Sequence, residues 1–324
     1  MKLLFVMDEL EKIHPQKDST FLLIKEALRR KFSPFFCNIH HLKVSNNDVL
    51  TFCCEIAAIN PHKKNFSKVE SSLRPSVEMS LDEFDFVFMR KDPPFDLEYL
   101  TSLYLLEKAS KKTIVVNHPK GLIHCNEKLS TLKFPELCPE TLVSSNSEDI
   151  KSFLEKHGGK GVIKPIYQAG GEGIFLLQNG DRNLNSILET ATSFGKEKVL
   201  IQRYLPEVEK GDKRLIVFDG EPVGAVLRIA GKDEIRSNIH VGGKCEKASI
   251  SIQDKKICEK LKPYFQKEGL FFVGLDLIGN FITEINVTSP TGFQEINRLE
   301  DLQNEFTLEA KFFNQLLKKY DFLN

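Results

Sequence analysis

The sequence reads as an α/β protein made of more than one compact unit. Its 324 residues exceed the roughly 100 to 200 of a typical single domain. The first third alternates short apolar runs with amphipathic stretches, the signature of strand and helix in turn. Past Asn126 this alternation gives way to glycine clusters between closely spaced strand-like runs, which marks a second unit.

Residues 2–7 form a buried-strand run, and Asp18-Ser19 opens an amphipathic helix whose apolar positions are Phe21, Leu22, Ile24, Ala27 and Leu28. Residues 84–89 and 113–116 are further apolar strand runs, with a helix over about 96–111 between them. That order predicts an open sheet of parallel strands over 1–124. Residues 44–80 show no clear period and support no assignment.

The second unit begins with a short helix through Lys133 and a strand at 141–143, followed by a helix over 147–157 and a strand over 161–166. After the glycine stretch come a strand at 174–177, a helix near 184–194 and a strand at 199–205. Strands at 215–218 and 223–229 are joined at Asp219-Gly220, a strong turn signal, and lead into a polar glycine-bearing loop over 231–247. A helix over 252–267, strands at 271–278 and 281–287, and an amphipathic helix from about 301 to 320 complete the chain. The expected units are therefore 1–124, 125–204 and 205–324.

Hydrophobic residues at 41% and charged residues at 28% place the chain among ordinary folded proteins. Lysine plus arginine equals aspartate plus glutamate at 45 each, so no long-range positive field gathers nucleic acid or an anionic membrane. A small-molecule partner is the expectation. The apolar run at 3–7 is shorter than a secretory core of about 7 to 15 residues or a membrane span of about 20, which points to a cytoplasmic protein. Seven cysteines include no C-x-x-C pair, so reduced thiols without a structural zinc are expected.

Among the chemistry-bearing residues, Asp276, Glu284 and Asn286 interrupt two apolar strand runs. Buried carboxylates demand partners, and hard oxygen ligands of this kind suit magnesium bridging nucleotide phosphates. A two-residue turn at Gly279-Asn280 would put Asp276 and Glu284 on opposite faces, because side chains alternate along a strand. A three-residue loop of Gly279, Asn280 and Phe281 would set them side by side, with Asn286 on the same face. A salt-bridged sheet edge fits the same spacing.

Lys164 lies in a strand run and precedes Gly170, Gly171, Glu172 and Gly173. Glycines let backbone amides approach phosphate oxygens, and a lysine adds a point charge. A plain glycine hairpin reads the same way, and neither the dinucleotide fingerprint nor the P-loop pattern is present. A cationic group follows: Lys213, Arg214, Arg228 and Arg236, with Asn238, Gly242 and Gly243 nearby. Arginine forks match carboxylates and phosphates, although an exposed strand face carries such residues too. Ser289-Pro290-Thr291-Gly292 follows the last strand, where substrate contacts and simple turns are both common.

In this order, these pieces resemble the ATP-grasp fold, and the wording is similar to bacterial glutathione synthetases along nearly the whole chain. The resemblance rests on residues 89–96 (Met-Arg-Lys-Asp-Pro-Pro-Phe-Asp), Asn126-Glu127-Lys128, Gly211-Asp212-Lys213-Arg214, and residues 283–291 (Thr-Glu-Ile-Asn-Val-Thr-Ser-Pro-Thr). Val6-Met7-Asp8 and Lys17-Asp18-Ser19 are similar to the family's opening.

The resemblance implies an N-terminal α/β domain, a small α+β lid and a C-terminal domain, with ATP gripped between the last two. It implies Lys128 and Lys164 on the nucleotide phosphates, residues 170–173 as the loop closing over them, Gln202, Arg203, Tyr204 and Leu205 at adenine, and Asp212 at the ribose. Asp276, Glu284 and Asn286 would hold magnesium or manganese. Arg214, Arg228, Asn238, Gly242, Gly243, Ser289 and Thr291 would contact substrate, with Arg214 and Lys164 neutralising charge during transfer. The implied reaction joins γ-glutamylcysteine to glycine in a homo-oligomer, often a tetramer. Residues 236–243 (Arg-Ser-Asn-Ile-His-Val-Gly-Gly) are also similar to sister ligases that extend peptide or protein ends, so another acceptor is the alternative. A silent ATP-binding protein is a second one.

Overall fold

The computed structural model describes residues 1–63, 65–231 and 243–321. Strand β1 (Lys2–Val6) is a continuous apolar run with Leu3, Leu4, Phe5 and Val6 all buried, as an interior parallel strand covered on both faces requires. Helix α1 (Ser19–Arg29) starts where Asp18 Oδ1 accepts the Thr20 amide at 2.7 Å. It returns the chain to β2 (Ser33–Cys37), parallel to β1.

The unassigned segment is β structure. Strands β3 (Leu42–Ser45), β4 (Asp48–His62), β5 (Asn65–Leu73) and β6 (Val77–Ser80) pair antiparallel around β4, and β4 pairs antiparallel with β2. The expected parallel sheet is thus the core of a mixed, eight-stranded one, in the order β3-β4-β2-β1-β7-β8 with β5 and β6 also on β4. Strand β7 (Phe86–Met89), helix α2 (Leu97–Ala109) and strand β8 (Ile114–Val116) complete the parallel part, followed by helix α3 (Pro119–His124).

A second sheet has the order β11-β10-β12-β9, built from β9 (Thr141–Ser144), β10 (Lys160–Pro165), β11 (Phe175–Gln178) and β12 (Val199–Arg203). Helices α4 (Ser147–Lys156) and α5 (Leu184–Ala191) cover it. The third sheet is antiparallel: β13 (Asp212–Phe218), β14 (Glu221–Ile229), β15 (Lys244–Lys247), β16 (Phe272–Ile278) and β17 (Phe281–Asn286) in the order β15-β14-β13-β16-β17. Helix α6 (Ile252–Glu268) lies between β15 and β16; α8 (Leu308–Asp321) is the expected last helix, starting later than about 301, and the unexpected α7 (Phe293–Leu299) precedes it. No helix among the described residues is long and apolar enough to cross a membrane.

The core does not follow chain order. Phe5, Phe88, Phe218, Phe272, Phe312 and Phe313 belong to one buried cluster that joins the first and third sheets, with rings such as Phe88 and Phe312 at 5.9 Å. The middle sheet has its own cluster, including Ile150, Leu154, Ile163, Leu188 and Ile201.

Polar clamps pin the first and third sheets. Buried Asn117 donates to Phe272 O at 2.7 Å and Val287 O at 2.9 Å, and accepts from the Phe272 amide at 2.7 Å. Replacing it by alanine leaves three buried backbone groups unpaired. Asn117→Ala is therefore expected to cost about 2 to 4 kcal/mol, read as a lower urea midpoint with the slope unchanged.

Candidate active site

Between the second and third sheets lies a cavity of about 440 Å³. One wall comes from Val162, Lys164, Ile174 and Leu176, the other from Asp212, Asp276, Ile278, Thr283 and Glu284, and the closed end from residues 202–205. The end of β12 thus presents backbone and Gln202, Arg203, Tyr204 and Leu205 beside an apolar slot, a fit for a flat heterocycle. Arg203 itself is engaged by Glu140 at 2.5 Å and lies 5.7 Å from the centre of the Phe281 ring.

One lysine lines it and a second is buried beside it. Lys164 is buried on β10, and this burial lowers its pKa while Glu284 resists and Lys128 adds to the fall. Lys128, buried at the start of a short helical turn, donates to Gln168 O at 2.5 Å and stands 3.8 Å from Glu284 Oε1. Gly170, Gly171 and Gly173 follow β10, all with positive φ. At Gly173 a β-carbon would meet Pro165 Cγ at 2.6 Å in a backbone conformation that side chains rarely adopt, so glycine is required there.

The carboxylates are brought together by a bulge rather than by the expected three-residue loop. The β16–β17 turn has two residues, pairing Ile278 with Phe281 and Leu277 with Ile282. The register then shifts, Thr283 is the extra residue, and Asp276 pairs with Glu284. Thr283 Oγ1 donates to Asp276 O at 3.3 Å across the irregularity. Asn286 falls on the same face and donates to Asp276 Oδ2 and Gly274 O, each at 3.2 Å.

Asp276 is the electrostatic centre. Arg214 grips it with two bonds, Nε to Oδ1 at 2.5 Å and Nη2 to Oδ2 at 3.0 Å. Arg228 Nη2 bridges Asp276 Oδ1 at 3.0 Å and Asp212 Oδ2 at 2.5 Å. Burial opposes ionisation of Asp276, but the two guanidinium groups outweigh it and hold the carboxyl well below the usual carboxylate range. Asp212 has only a share of Arg228, so burial, opposed by Arg228 and reinforced by Asp276, pushes it up to about 6. Its Oδ1 and Arg228 Nε are buried without a hydrogen-bond partner among the described residues.

A second cavity of about 330 Å³ adjoins the first, and Glu284 lines both. Arg214, Arg228, Asn286, Ser289 and Thr291 line it from the C-terminal side, Gly170 and Glu172 from the middle unit, and Lys12, Lys17, Asp18, Asp92 and Glu127 are also in the wall. Arg214 Nη1 also donates to Thr291 O at 3.2 Å. Glu127 Oε1 accepts from the amides of Val287 and Thr288 and the Thr288 hydroxyl, at 2.9, 3.1 and 2.8 Å, which fixes the strand exit. Buried Arg90 reaches the same loop, donating to Pro290 O at 3.0 Å and to Thr20 Oγ1 at 3.1 Å.

Not every expected residue is here. Lys213, on the other face of β13 from Arg214, pairs with Asp254 at 2.9 Å. Gly243 lines a separate cavity beside Cys245, Glu295 and Arg298. Arg236, Asn238 and Gly242 lie outside the described residues. Asp18, Asp92, Arg90 and Glu127 stand in the phrases that carry the family resemblance, but spacing assigned them no role.

A slot between two antiparallel sheets, with Lys164 on one wall and paired acidic side chains on the other, defines an ATP-grasp ligase. Solved structures agree on the fold: the D-cycloserine synthetase DcsG superposes with TM-score 0.65 at 15% identity, covering 98% of this chain and 99% of that one. The macrocyclase MdnC of Microcystis aeruginosa gives 0.64 at 15%, covering 98% and 100%.

Within that class, the model for the prokaryotic glutathione synthetase N-terminal domain matches residues 1–122, and that for the ATP-grasp domain of the same enzymes matches 127–301. A glutathione synthetase of Synechocystis sp. is 43% identical over 309 residues, 94% of this chain and 96% of the relative. One from Vibrio cholerae is 40% identical over 304 residues, 93% and 94%. The chain belongs to the prokaryotic glutathione synthetase family.

Asp212 supplies a test of the charge network. A carboxyl raised in the folded state keeps its proton between its unfolded value near 3.8 and about 6, so it makes stability fall as pH rises through that window. Asp212→Asn removes this contribution. Denaturant midpoints at pH 4, 5, 6 and 7 are expected to fall less steeply with pH in the variant than in the parent protein.

Proposed function

We infer that the protein joins the cysteinyl carboxylate of γ-glutamylcysteine to the amine of glycine, converting ATP to ADP and phosphate and forming glutathione. The observation that carries this reading is the meeting of two cavities at Glu284: a slot lined by Val162, Ile174, Leu176 and Lys164, and a chamber lined by Arg214 and Arg228. A carboxylate in the chamber and a γ-phosphate at the end of the slot come within reach of one another.

In this reading Val162, Leu176 and residues 202–205 take adenine, Asp212 takes the ribose, and Lys128 and Lys164 take the phosphates. The loop at 170–173 covers them. Asp276, Glu284 and Asn286 hold a divalent cation, magnesium by preference over manganese. The donor types fit, being carboxylate and amide oxygens on one face beside an orphaned Asp212 oxygen, and a cation drawing on Asp276 would share it with Arg214 and Arg228, which hold both of its oxygens here. The cation neutralises charge on the phosphates.

Arg214, with Arg228, orients the dipeptide carboxylate for attack on the γ-phosphorus. The carboxylate oxygen forms the new bond as ADP leaves, giving an acyl phosphate. The glycine amine then attacks the acyl carbon, and phosphate departs with the electron pair of the C–O bond. Lys164 balances the transferring phosphoryl group, and its burial strengthens that interaction. No side-chain nucleophile takes part. Ser289 and Thr291 contact substrate in the chamber. The units 1–124, 125–204 and 205–324 serve as substrate wall, lid and metal-bearing base.

ADP release from purified protein with ATP and magnesium tests the reading, with γ-glutamylcysteine and glycine added singly and together. Release is expected only with both, and release with another amino acid in place of glycine would move the acceptor. Glu284→Ala is expected to lower turnover by about 100-fold or more, through loss of charge stabilisation worth several kcal/mol. Its circular dichroism is expected to match the parent, and an active variant would remove Glu284 from the metal set.

A further inference from the structure

The second cavity carries more charge than the ligation chemistry uses. The third sheet lines it with Arg214, Arg228, Glu284 and Asn286. Arg228 is buried with its Nε unpartnered among the described residues, so this side lacks an acceptor. The N-terminal domain lines it with Asp18 and Asp92, beside Lys12 and Lys17.

The two aspartates differ from their acidic neighbours. Asp8 is paired with Lys91 at 3.2 Å, and Glu9 with Lys12 at 2.7 Å. Neither Asp18 nor Asp92 has a cationic side chain within ion-pair distance among the described residues. Asp18 spends Oδ1 on the Thr20 amide, and the nearby Ser289 side chain favours the charged form of Asp92. Surrounding protein desolvates Asp92, and Asp18 repels it as a like charge, which together push its pKa up to about 6 against Ser289 and Arg90. Two carboxylates that disfavour each other's ionisation gain from a cation placed between them.

The chamber's geometry says which cation. In the synthetase reading the reacting carboxylate lies at Arg214 and Arg228, on the side of Glu284, which lines the nucleotide slot as well. A dipeptide anchored at that end projects its far end toward the N-terminal domain, and the volume of about 330 Å³ suits a molecule of that size. The far end of a γ-linked dipeptide is a free amino acid, with an ammonium and a carboxylate on one carbon. We propose that Asp18 and Asp92 bind the α-ammonium of the γ-glutamyl group, making them specificity-determining residues for the amino-acid head. The inference rests on the synthetase reading above.

The test compares γ-glutamylcysteine with glutarylcysteine, which lacks only the α-amino group. The parent enzyme is expected to prefer the natural dipeptide by about 10- to 100-fold in kcat/KM, the worth of a charged hydrogen bond. Asp92→Asn is expected to raise KM for γ-glutamylcysteine by about 10-fold or more, with kcat and the KM values for ATP and glycine within about threefold. The variant's rate with glutarylcysteine is expected to be unchanged, so the preference collapses. Asp92→Glu, which keeps the charge, is expected to restore part of it, and Asp18→Asn to act in the same direction as Asp92→Asn.

Equal losses on both dipeptides would show a structural role and overturn the proposal, as would a loss confined to KM for glycine. A parent enzyme that turns over both dipeptides equally well would overturn it too. Absence of any dipeptide-dependent ADP release from the parent would instead remove the synthetase reading, a separate outcome.

Discussion

Asp276 holds its negative charge inside the protein, and an ionised carboxylate away from water must have its charge balanced and its lone pairs filled. Arg214 fills two of those positions, Arg228 a third and the Asn286 amide a fourth. Each donor comes from a different strand, β13, β14 and β17 around β16, so the third sheet closes around one carboxylate. Removing either arginine exposes the other charges to desolvation without compensation. The network is therefore a structural requirement and a chemical one at the same position. Both arginines also line the second cavity, so in the proposed reading an arriving substrate carboxylate competes with Asp276 for guanidinium groups already oriented, which limits the ordering cost of binding.

The chamber needs a second fixed wall, and the shared core of the first and third sheets provides it. Phenylalanines from both sheets pack into one cluster, and Asn117, Arg90 and Glu127 tie the ends of β7, β8 and β17 together within it. Arg90 lies 5.0 Å from the centre of the Phe272 ring, so even this buried cation is lodged in the aromatic core. Burial lowers its pKa, the expected direction for a cation held by neutral acceptors and a ring. The effect is that Asp18 and Asp92, at the start of α1 and just past β7, stand at a set distance from Arg214 despite more than a hundred intervening residues.

How much of this the sequence carried depended on periodicity. The parallel strands, α1, α2, α4 and α6, and the β13–β14 hairpin all have strong apolar patterns and were legible. Residues 44–80 were not, because β4 is half exposed, alternates imperfectly and pairs with four partners, so no single period survives. The pairing of Asp276 with Glu284 was legible as a necessity of face, but its cause was misplaced: an extra residue at Thr283 restores the register, and a bulge leaves no mark in a pattern of alternating types. Lys213 beside Arg214 shows the converse. Strand alternation alone would have separated the residue facing Asp254 from the one facing Asp276. Asp18 and Asp92 carried no local signal, since their meaning comes from a chamber assembled by tertiary structure.

The middle sheet stands apart in a way that bears on how the site works. Its apolar cluster is its own, and it meets the acidic wall through polar and slot-lining groups, such as Arg203 over the Phe281 ring, while Lys128 beside β17 holds the Gln168 carbonyl. Moving this sheet as a body therefore uncovers little apolar surface, whereas separating the first sheet from the third would break a phenylalanine core. In the proposed reading, a nucleotide in the slot touches both walls at once and supplies the cohesion that the protein's own contacts leave out. Water-sensitive chemistry benefits from that division. The acyl phosphate needs exclusion of water only while substrates are bound, and the element that excludes it is the one held in place mainly by the nucleotide.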